Sequence, residues 1–159
     1  FHFRDLRTVI QLQPGNPKKI EAIKDLTKPH VRIINRQPGC GTRKLFDQTL
    51  KDQGIRTSAV HGHDDCLSRH MDIGLAVLKG RADAGPGIRA VANLLGLDFI
   101  SICWEPFDLI IDKERFFDQG IQYFLSLLKG KIIQAAAKEY GGYDLSRTGK
   151  MIYPEPVPE

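Results

Sequence analysis

One segment of the sequence, from Val31 to Arg43, concentrates features that can bind an anion. An apolar, β-branched run leads into a turn that contains Gly39 and Gly41, and a predicted helix follows at once. Glycine permits backbone conformations and close approaches that other residues resist. The first amides of a helix have no partner within it, and the helix dipole adds about half a positive charge at that end. We therefore predict that this turn binds an oxyanion or another polar group.

Four side chains beside those amides are candidates to complete the site. Cys40 and Thr42 lie in the turn, and Thr42 adds a hydroxyl donor. Arg36 and Arg43 offer guanidinium groups that suit tetrahedral or planar oxyanions. The alternative interpretation is an ordinary strand-to-helix turn with two surface arginines. The segment lacks the Gly-Lys-Ser/Thr of a Walker loop, and Lys44 stands where a dinucleotide fingerprint requires its third glycine, so the pattern indicates an anion and not a nucleotide.

Three further residues are secondary candidates for the same ligand. Ser68 and His70 stand at the start of a helix predicted over 67–79, where both could donate to an anion and Ser68 could cap the helix. Asp83 follows a predicted strand, and we expect it at the same end of the sheet, orienting an arginine or binding a cationic group of the ligand. The alternative is a turn aspartate that accepts from nearby amides. Gly85-Pro86-Gly87 suggests a second amide nest, with one donor removed by the proline.

Two patterns raise the alternatives of a metal site and of an enzyme. The stretch His61-Gly62-His63-Asp64-Asp65-Cys66 contains residue types that bind zinc or nickel. Its composition is that of a polar loop, so we favour solvated side chains and predict no metal and no cofactor. Cys40 at a helix start could act as a nucleophile, but the local sequence places no histidine or aspartate as its base. We therefore predict no catalytic residues and no enzymatic activity.

Strands and helices alternate along the chain at short spacing. The predicted strands span 8–13, 31–35, 58–61, 81–87, 99–103 and 107–111. The predicted helices span 18–26, 42–53, 67–79, 88–95, 113–128 and 131–140. This alternation indicates an α/β sheet with helices on both faces, in which ligands bind at the carboxyl ends of the strands.

Composition excludes several classes of protein. The chain has 159 residues, of which 42% are hydrophobic and 26% charged, and a net charge of +4. These values suit one globular domain and exclude disorder, a coiled coil and a membrane span. The charge is too small to imply a nucleic acid partner. Three widely spaced cysteines argue against a disulfide framework, so we expect a reducing, cytoplasmic compartment, or a periplasmic one if a signal peptide has been removed.

The motifs together resemble a known family. The spacing of Arg36 and Cys40-Gly41-Thr42 resembles the Arg-x-x-x-Ser-Gly-Thr oxyanion loop of phosphate- and tungstate-type periplasmic binding proteins, with Cys40 in place of the serine. Nearly the whole chain is similar to the periplasmic-binding-protein-like domain that is fused to molybdopterin biosynthesis proteins and to helix-turn-helix or LysR-type regulators. The motifs that carry this resemblance are Gly15-Asn16-Pro17, Asn35-Arg36-Gln37-Pro38-Gly39, Gly41-Thr42-Arg43, Gly80-Arg81-Ala82-Asp83-Ala84-Gly85, Gly96-Leu97-Asp98-Phe99 and 142–149.

The resemblance implies an α/β fold of the type II periplasmic-binding-protein-like class, with one complete lobe at about 14–106 and part of the second. The domain would span 1–152 and a tail 153–159, and the family's N-terminal segment has no counterpart before Phe1. The implied function is non-catalytic binding of a small anion such as molybdate or tungstate, in molybdenum-cofactor metabolism or its regulation. The alternatives are an effector domain for an organic carboxylate and a vestigial scaffold. The implied partners are a regulator or molybdopterin-biosynthesis domain, fused or separate, or a second copy in a homodimer, without membrane contact.

Overall fold

The computed structural model describes residues 1–151, so the predicted tail at 153–159 lies outside the described residues. The strands are β1 (His2–Leu12), β2 (Asn35–Arg36), β3 (Cys66–Leu67), β4 (Ala84–Ile88), β5 (Asp98–Asp108) and β6 (Tyr143–Asp144). The α-helices are α1 (Gly41–Asp52), α2 (His70–Leu78), α3 (Arg89–Leu95), α4 (Gln119–Leu128) and α5 (Lys131–Tyr140). The predicted α/β class is confirmed. Within residues 1–151 no helix is both long enough and apolar enough to cross a membrane.

The chain forms two compact units. One is Arg7–Cys103, and the other combines Phe1–Leu6 with the chain from Trp104 on. Strands β1 and β5 each pass from one unit into the other along the sequence. Every candidate site residue belongs to Arg7–Cys103, which we call the ligand unit.

The sheet of the ligand unit brings three helix starts to one edge. Strand β2 pairs in parallel with β3, and a parallel bridge between Ile33 and Ala84 joins the segment before β2 to β4. Strand β1 runs antiparallel to β4 and lies between β4 and β5. Because β2, β3 and β4 run in the same direction, their carboxyl ends share an edge, and α1, α2 and α3 begin there. This is the edge at which α/β sheets bind ligands.

Apolar residues at strand and helix spacing hold this unit together. Phe46 and Leu50 lie one helical turn apart on α1 and are fully buried. They pack in a cluster with β-branched and leucine side chains from β1, from the segment before β2 and from the end of the 3-10 helix at Thr57–Ala59. These side chains include Ile10, Leu12, Ile20, Leu26, Val31, Ile33 and Val60. A smaller cluster joins α2 and α3 through Val77 and Ala92. The burial of these faces fixes where α1 and α2 start, and therefore positions the candidate site.

The glycine-rich segment after Asp83 is a strand, so the prediction of a second amide nest there is wrong. Gly85, Pro86 and Gly87 lie within β4 and pair with β1. A Cβ atom on Gly85 would come within 2.6 Å of the Ile34 carbonyl oxygen. Glycine is needed here because neighbouring elements approach the β4 backbone closely, and not because a turn needs its conformational freedom.

Several predicted boundaries differ from the structure for physical reasons. The predicted strand at 58–61 is part of a 3-10 helix (Thr57–Ala59) and hydrogen-bonded turns. The two predicted strands around Pro106 form the single strand β5, which tolerates proline because it lies at the end of the strand order. The predicted helix at 18–26 is reduced to a 3-10 helix at Ile23–Thr27, and the helix predicted at 113–128 begins only at Gln119.

The second unit is organised around β1, β6 and two helices. Asp5 on β1 pairs opposite Asp144 on β6, and Arg147 donates to both Asp5 carboxylate oxygens, at 2.6 and 3.2 Å. The fully buried His2 ring lies 2.8 Å from an Asp108 carboxylate oxygen through Nδ1. These contacts connect the first strand to the chain that follows Trp104.

Candidate anion site

The Arg36 side chain is the central feature of the site. Arg36 ends β2 and is only 7% exposed. Its Nη2 donates to the Ser68 carbonyl oxygen at 2.9 Å, but Nε and Nη1 are buried and have no hydrogen-bond partner among the described residues. A buried cation whose donors are unused is unfavourable unless an anion pairs with it. The unused donors and the positive charge of Arg36 could serve a negatively charged group.

Two helix starts flank this guanidinium group. Helix α1 begins five residues after Arg36, and α2 begins at His70, two residues after the carbonyl that Arg36 binds. Because β2 and β3 are paired with Arg36 opposite Leu67, the two turns that lead into the helices are neighbours. Both helices are longer than two turns, and the first amides of each point toward the edge formed by the carboxyl ends of β2 and β3. The guanidinium and the helix dipoles add to a positive potential there.

The His70 ring lies beside Arg36. His70 is half-buried, and its Nδ1 atom is buried without a hydrogen-bond partner among residues 1–151. Burial, with a smaller contribution from the charge of Arg36, lowers the pKa of His70 from 6.5 to about 4. The imidazole is therefore neutral near pH 7, and its polar atom is available to a ligand.

Arg43 has a different role from Arg36. Its Nε donates to both Asp47 carboxylate oxygens, at 3.1 and 2.9 Å, and its Nη1 donates to the Arg36 carbonyl at 3.1 Å. Its Nη2 lies 3.0 Å from Nδ1 of His63, whose ring stacks on Phe46. The Arg43 guanidinium is thus engaged within the protein and holds the backbone at Arg36.

The predicted turn residues lie where a ligand could contact their backbone. Cys40 is the N-cap of α1, and its thiol makes no capping hydrogen bond. Gly41 and Thr42 are the first two residues of that helix; Gly41 is exposed and Thr42 is buried. No histidine or carboxylate hydrogen-bonds the Cys40 thiol in the described part of the chain. Ser68 is exposed and contributes its carbonyl to Arg36, while Arg69 takes the N-cap position of α2 that we predicted for Ser68.

Asp83 is the one candidate that the structure does not bring to this edge. Asp83 precedes β4, and its carboxylate accepts the Arg32 amide at 2.9 Å and lies 3.8 Å from Lys18 Nζ. Arg32 is four residues before Arg36, which corresponds to about 13 Å along an extended chain. Asp83 therefore lies near the amino ends of the parallel strands and stabilises the backbone there, contrary to the expected placement.

The histidine- and aspartate-rich loop 61–66 supports the site from outside. His63 is buried and its Nε2 lies 2.7 Å from an Asp47 carboxylate oxygen, whereas Asp64 is exposed. No group of histidine, cysteine, aspartate and glutamate residues suited to a metal occurs among residues 1–151. A cavity of about 400 Å³ borders this loop, but neither Arg36 nor His70 lines it, so we assign no ligand to it.

Two residues that sequence reasoning gave no role organise the turn. Asn35 is fully buried, and it accepts the Arg36 amide at 2.9 Å and donates to the His63 carbonyl at 3.1 Å. Gln37 donates from its backbone to the Leu67 carbonyl at 3.2 Å, and its side-chain amide nitrogen, turned toward β3, reaches the Ser68 carbonyl at 3.1 Å. The sequence signal for Asn35 was a polar residue at the end of an apolar run, directly before an arginine.

Comparison with known proteins identifies the family. Residues 7–129 match the family model of the PBP superfamily domain. The chain belongs to the PBP superfamily. The resemblance to type II periplasmic binding proteins is therefore confirmed for the fold. As a PBP-superfamily domain, the chain has its candidate site at the carboxyl ends of parallel strands, where the sheet topology alone also places it.

Three relatives show how far the likeness extends. This PBP-superfamily domain is 34% identical over 143 residues to YvgK of Bacillus subtilis (strain 168). The aligned residues make up 90% of this chain but only 46% of YvgK. A crystal structure of PEB3 with L-phospholactate bound has a TM-score of 0.63 and 18% identity, covering 90% of this chain and 67% of that one. PEB3 is from Campylobacter jejuni. The periplasmic molybdate-binding protein of Azotobacter vinelandii has a TM-score of 0.58 and 20% identity, and the match covers 91% of this chain and 67% of that protein.

Proposed function

We propose that this domain binds a small oxyanion at the edge where α1 and α2 begin and performs no reaction on it. The observation that carries the proposal is the Arg36 guanidinium, which is 7% exposed and keeps Nε and Nη1 unpartnered among the described residues. Protein interiors rarely retain such a group, because desolvation of an unpaired charge costs several kcal/mol. A bound anion would pair with this charge and use the free donors.

Tetrahedral oxyanions such as molybdate and tungstate are our first candidates. The amides of two helix starts and the Arg36 nitrogens are all donors, which suits a ligand whose oxygens only accept hydrogen bonds. The likeness to the molybdate-binding protein of Azotobacter vinelandii supports this choice. The second candidate is a small organic anion that carries a phosphate or carboxylate, favoured by the likeness to PEB3 with L-phospholactate bound.

The wider biological role is also a proposal. We propose that the domain senses or supplies its anion within a larger protein or complex in molybdenum-cofactor metabolism or its regulation. The chain spans less than half the length of YvgK, so further domains of such relatives are candidate partners. Cys40, Cys66 and Cys103 form no disulfide among the described residues, which is compatible with a cytoplasmic compartment.

Thermal unfolding with a panel of anions tests the proposal. Molybdate, tungstate, phosphate, sulfate, phospholactate and small carboxylates are compared at constant ionic strength, so that general screening is the same in each sample. A ligand at about 100 times its dissociation constant stabilises the folded protein by about 2.7 kcal/mol, which raises the unfolding midpoint measurably. The anion that gives the largest shift identifies the ligand class.

Two matched arginine variants separate site binding from general charge effects. Arg36→Met removes the buried cation while keeping much of its length, and Arg32→Met removes an arginine four residues earlier whose side chain is 65% exposed. We expect the anion-dependent shift to vanish in Arg36→Met and to persist in Arg32→Met. Equal shifts in both variants would overturn the proposal, because the anion would then bind without Arg36. No shift with any anion in the original protein would overturn it in favour of a vestigial scaffold.

A further inference from the structure

We propose that His70 couples anion binding at this site to the uptake of one proton, with the ring neutral in the free protein and protonated when a fully deprotonated dianion is bound. This inference rests on the proposed function and deepens it. It assigns to the site a preference for dianions over monocarboxylates, and an affinity that increases as the pH falls.

The geometry places the imidazole and the guanidinium at the same helix start. Arg36 binds the carbonyl of Ser68, two residues before His70, and His70 is the first residue of α2. The Nδ1 atom of His70 and two nitrogens of Arg36 are buried and unpartnered among the described residues. An anion that reaches the Arg36 donors between the two helix starts therefore also meets the His70 ring.

The surroundings of His70 oppose its protonation while no anion is bound. Burial removes water from the ring, and the charge of Arg36 repels an imidazolium. The positive end of the α2 dipole acts in the same direction. A bound dianion reverses these effects, because its charge pairs with both Arg36 and a protonated His70 and the imidazolium offers it a further donor.

Other charged groups around α2 do not replace this role. Strand β4 packs on α2 and carries no titratable side chain. The titratable residues on the remaining neighbours and on α2 itself are Arg36 (β2), Cys66 (β3), Arg89 (α3), Arg69 (the N-cap) and Asp72 (the first turn). Arg89 lies over the Phe99 ring at 5.2 Å, and Cys66 is exposed. Of this set, Arg36 is the group whose charge shifts the pKa of His70.

The linkage has a defined size. If one proton is taken up on binding, the affinity for a dianion rises by at most about tenfold per pH unit between the pKa of His70 in the complex and its lower pKa in the free protein. The single negative charge of a monocarboxylate is balanced by Arg36 alone, so the affinity for a monocarboxylate should change little over the same pH range. The difference between these two ligand classes is therefore a signature of His70.

Calorimetric titration with molybdate measures the proton directly. The titration is run at the same pH in two buffers with different ionisation enthalpies, first near pH 7 and then near pH 6. We expect an uptake that rises toward one proton as the pH is lowered. His70→Asn retains hydrogen-bonding capacity without titrating, and it should abolish both the uptake and the pH dependence. His61→Asn, which changes an exposed histidine of the same unit, should leave both unchanged.

The outcomes distinguish the two proposals. Molybdate binding that requires Arg36 but takes up no proton would overturn the linkage and leave the proposed function in place. Absence of binding by every anion of the panel would overturn both. An NMR titration of the His70 ring in the free protein is a test that needs no ligand: a midpoint at or above 6.5 would overturn the linkage, and a midpoint well below it supports it.

Discussion

Arg43 donates from Nη1 to the backbone carbonyl of Arg36 across 3.1 Å. Its other nitrogens bind Asp47 and His63, so this arginine is fully engaged inside the protein. Arg36, in contrast, keeps two nitrogens without a partner among residues 1–151. Two arginines seven residues apart in one motif therefore differ in their contacts: Arg43 supports the turn, and Arg36 keeps free the donors that we propose for the ligand.

Replacement of Arg43 by alanine tests the supporting role. We expect Arg43→Ala to lower the free energy of unfolding by about 2–3 kcal/mol, because it removes the donor to the Arg36 carbonyl and one partner each from the buried His63 and the partly exposed Asp47. Urea denaturation measures the change. Lys44→Ala, at the adjacent exposed position, should change stability by no more than about 0.5 kcal/mol. Equal stability of the two variants would show that the Arg43 contacts contribute nothing.

Replacement of Arg36 by methionine has the opposite expected effect on stability. The free protein should be as stable as the original or more stable by on the order of 1 kcal/mol, since an unpaired buried cation is replaced by an apolar chain of similar length. Urea denaturation without added anion, with Arg32→Met as the control, measures this. A loss of 3 kcal/mol or more (roughly the cost of breaking a buried pair) would mean that Arg36 is a structural residue already balanced within the protein.

The sequence predicted the start of α1 more closely than it predicted the long-range contacts around it. The start of α1 at Gly41 followed from a strand, two glycines and an apolar helical face, all of which are local signals. The predicted position of Asp83 was wrong because its carboxylate accepts a hydrogen bond from the amide of Arg32, 51 residues away in the chain. The role of Arg43 depends on His63, which follows it by 20 residues and precedes the strand β3 that pairs with β2. Contacts of this kind are set by tertiary packing and leave no local pattern.

The pKa of His70 predicts an acid-dependent loss of stability in the free protein. Its folded pKa, about 4, lies below the 6.5 of the unfolded chain, so the unfolded state takes up the proton first as the pH falls. The folded protein should therefore lose stability between pH 6.5 and 4. The shift corresponds to at most about 3 kcal/mol, and we expect about 1 kcal/mol because the ring is partly exposed to solvent.

Comparison with His70→Asn isolates this effect from other acid titrations. The variant should show a flatter stability profile than the original protein between pH 6.5 and 4 by urea denaturation. Hydrogen bonds from nearby amides lower the pKa of Asp25 and of Asp144 below 3.8, so their contributions are lost only at more acidic pH. Parallel profiles for the two proteins would show that His70 is accessible to protons in the folded state.

Cys40→Ser should strengthen the start of α1. The Cys40 thiol makes no capping bond, whereas a serine hydroxyl at the N-cap can accept an amide of the first turn. We expect a gain of about 0.5–1 kcal/mol in the free energy of unfolding. Cys66→Ser, at an exposed strand position, is the control and should be neutral. A destabilised Cys40→Ser variant would mean that the half-buried thiol contributes more by packing than a hydroxyl does by capping.

The close approach to Gly85 gives a prediction that links the core to the site. In Gly85→Ala the new Cβ atom would lie 2.6 Å from both the Ile34 carbonyl oxygen and Ile73 Cγ2, so β4 must move away from the segment before β2 or from α2. We expect a loss of about 1–3 kcal/mol, as for other overpacked cores, measured by urea denaturation. Gly120→Ala is the matched control, because a Cβ there meets nothing within 4 Å and α4 should gain stability.

Because α2 carries His70 and the segment before β2 leads to Arg36, Gly85→Ala should also weaken the anion-dependent rise in unfolding midpoint. An unchanged anion response in a destabilised Gly85→Ala protein would show that the site tolerates a displacement of β4.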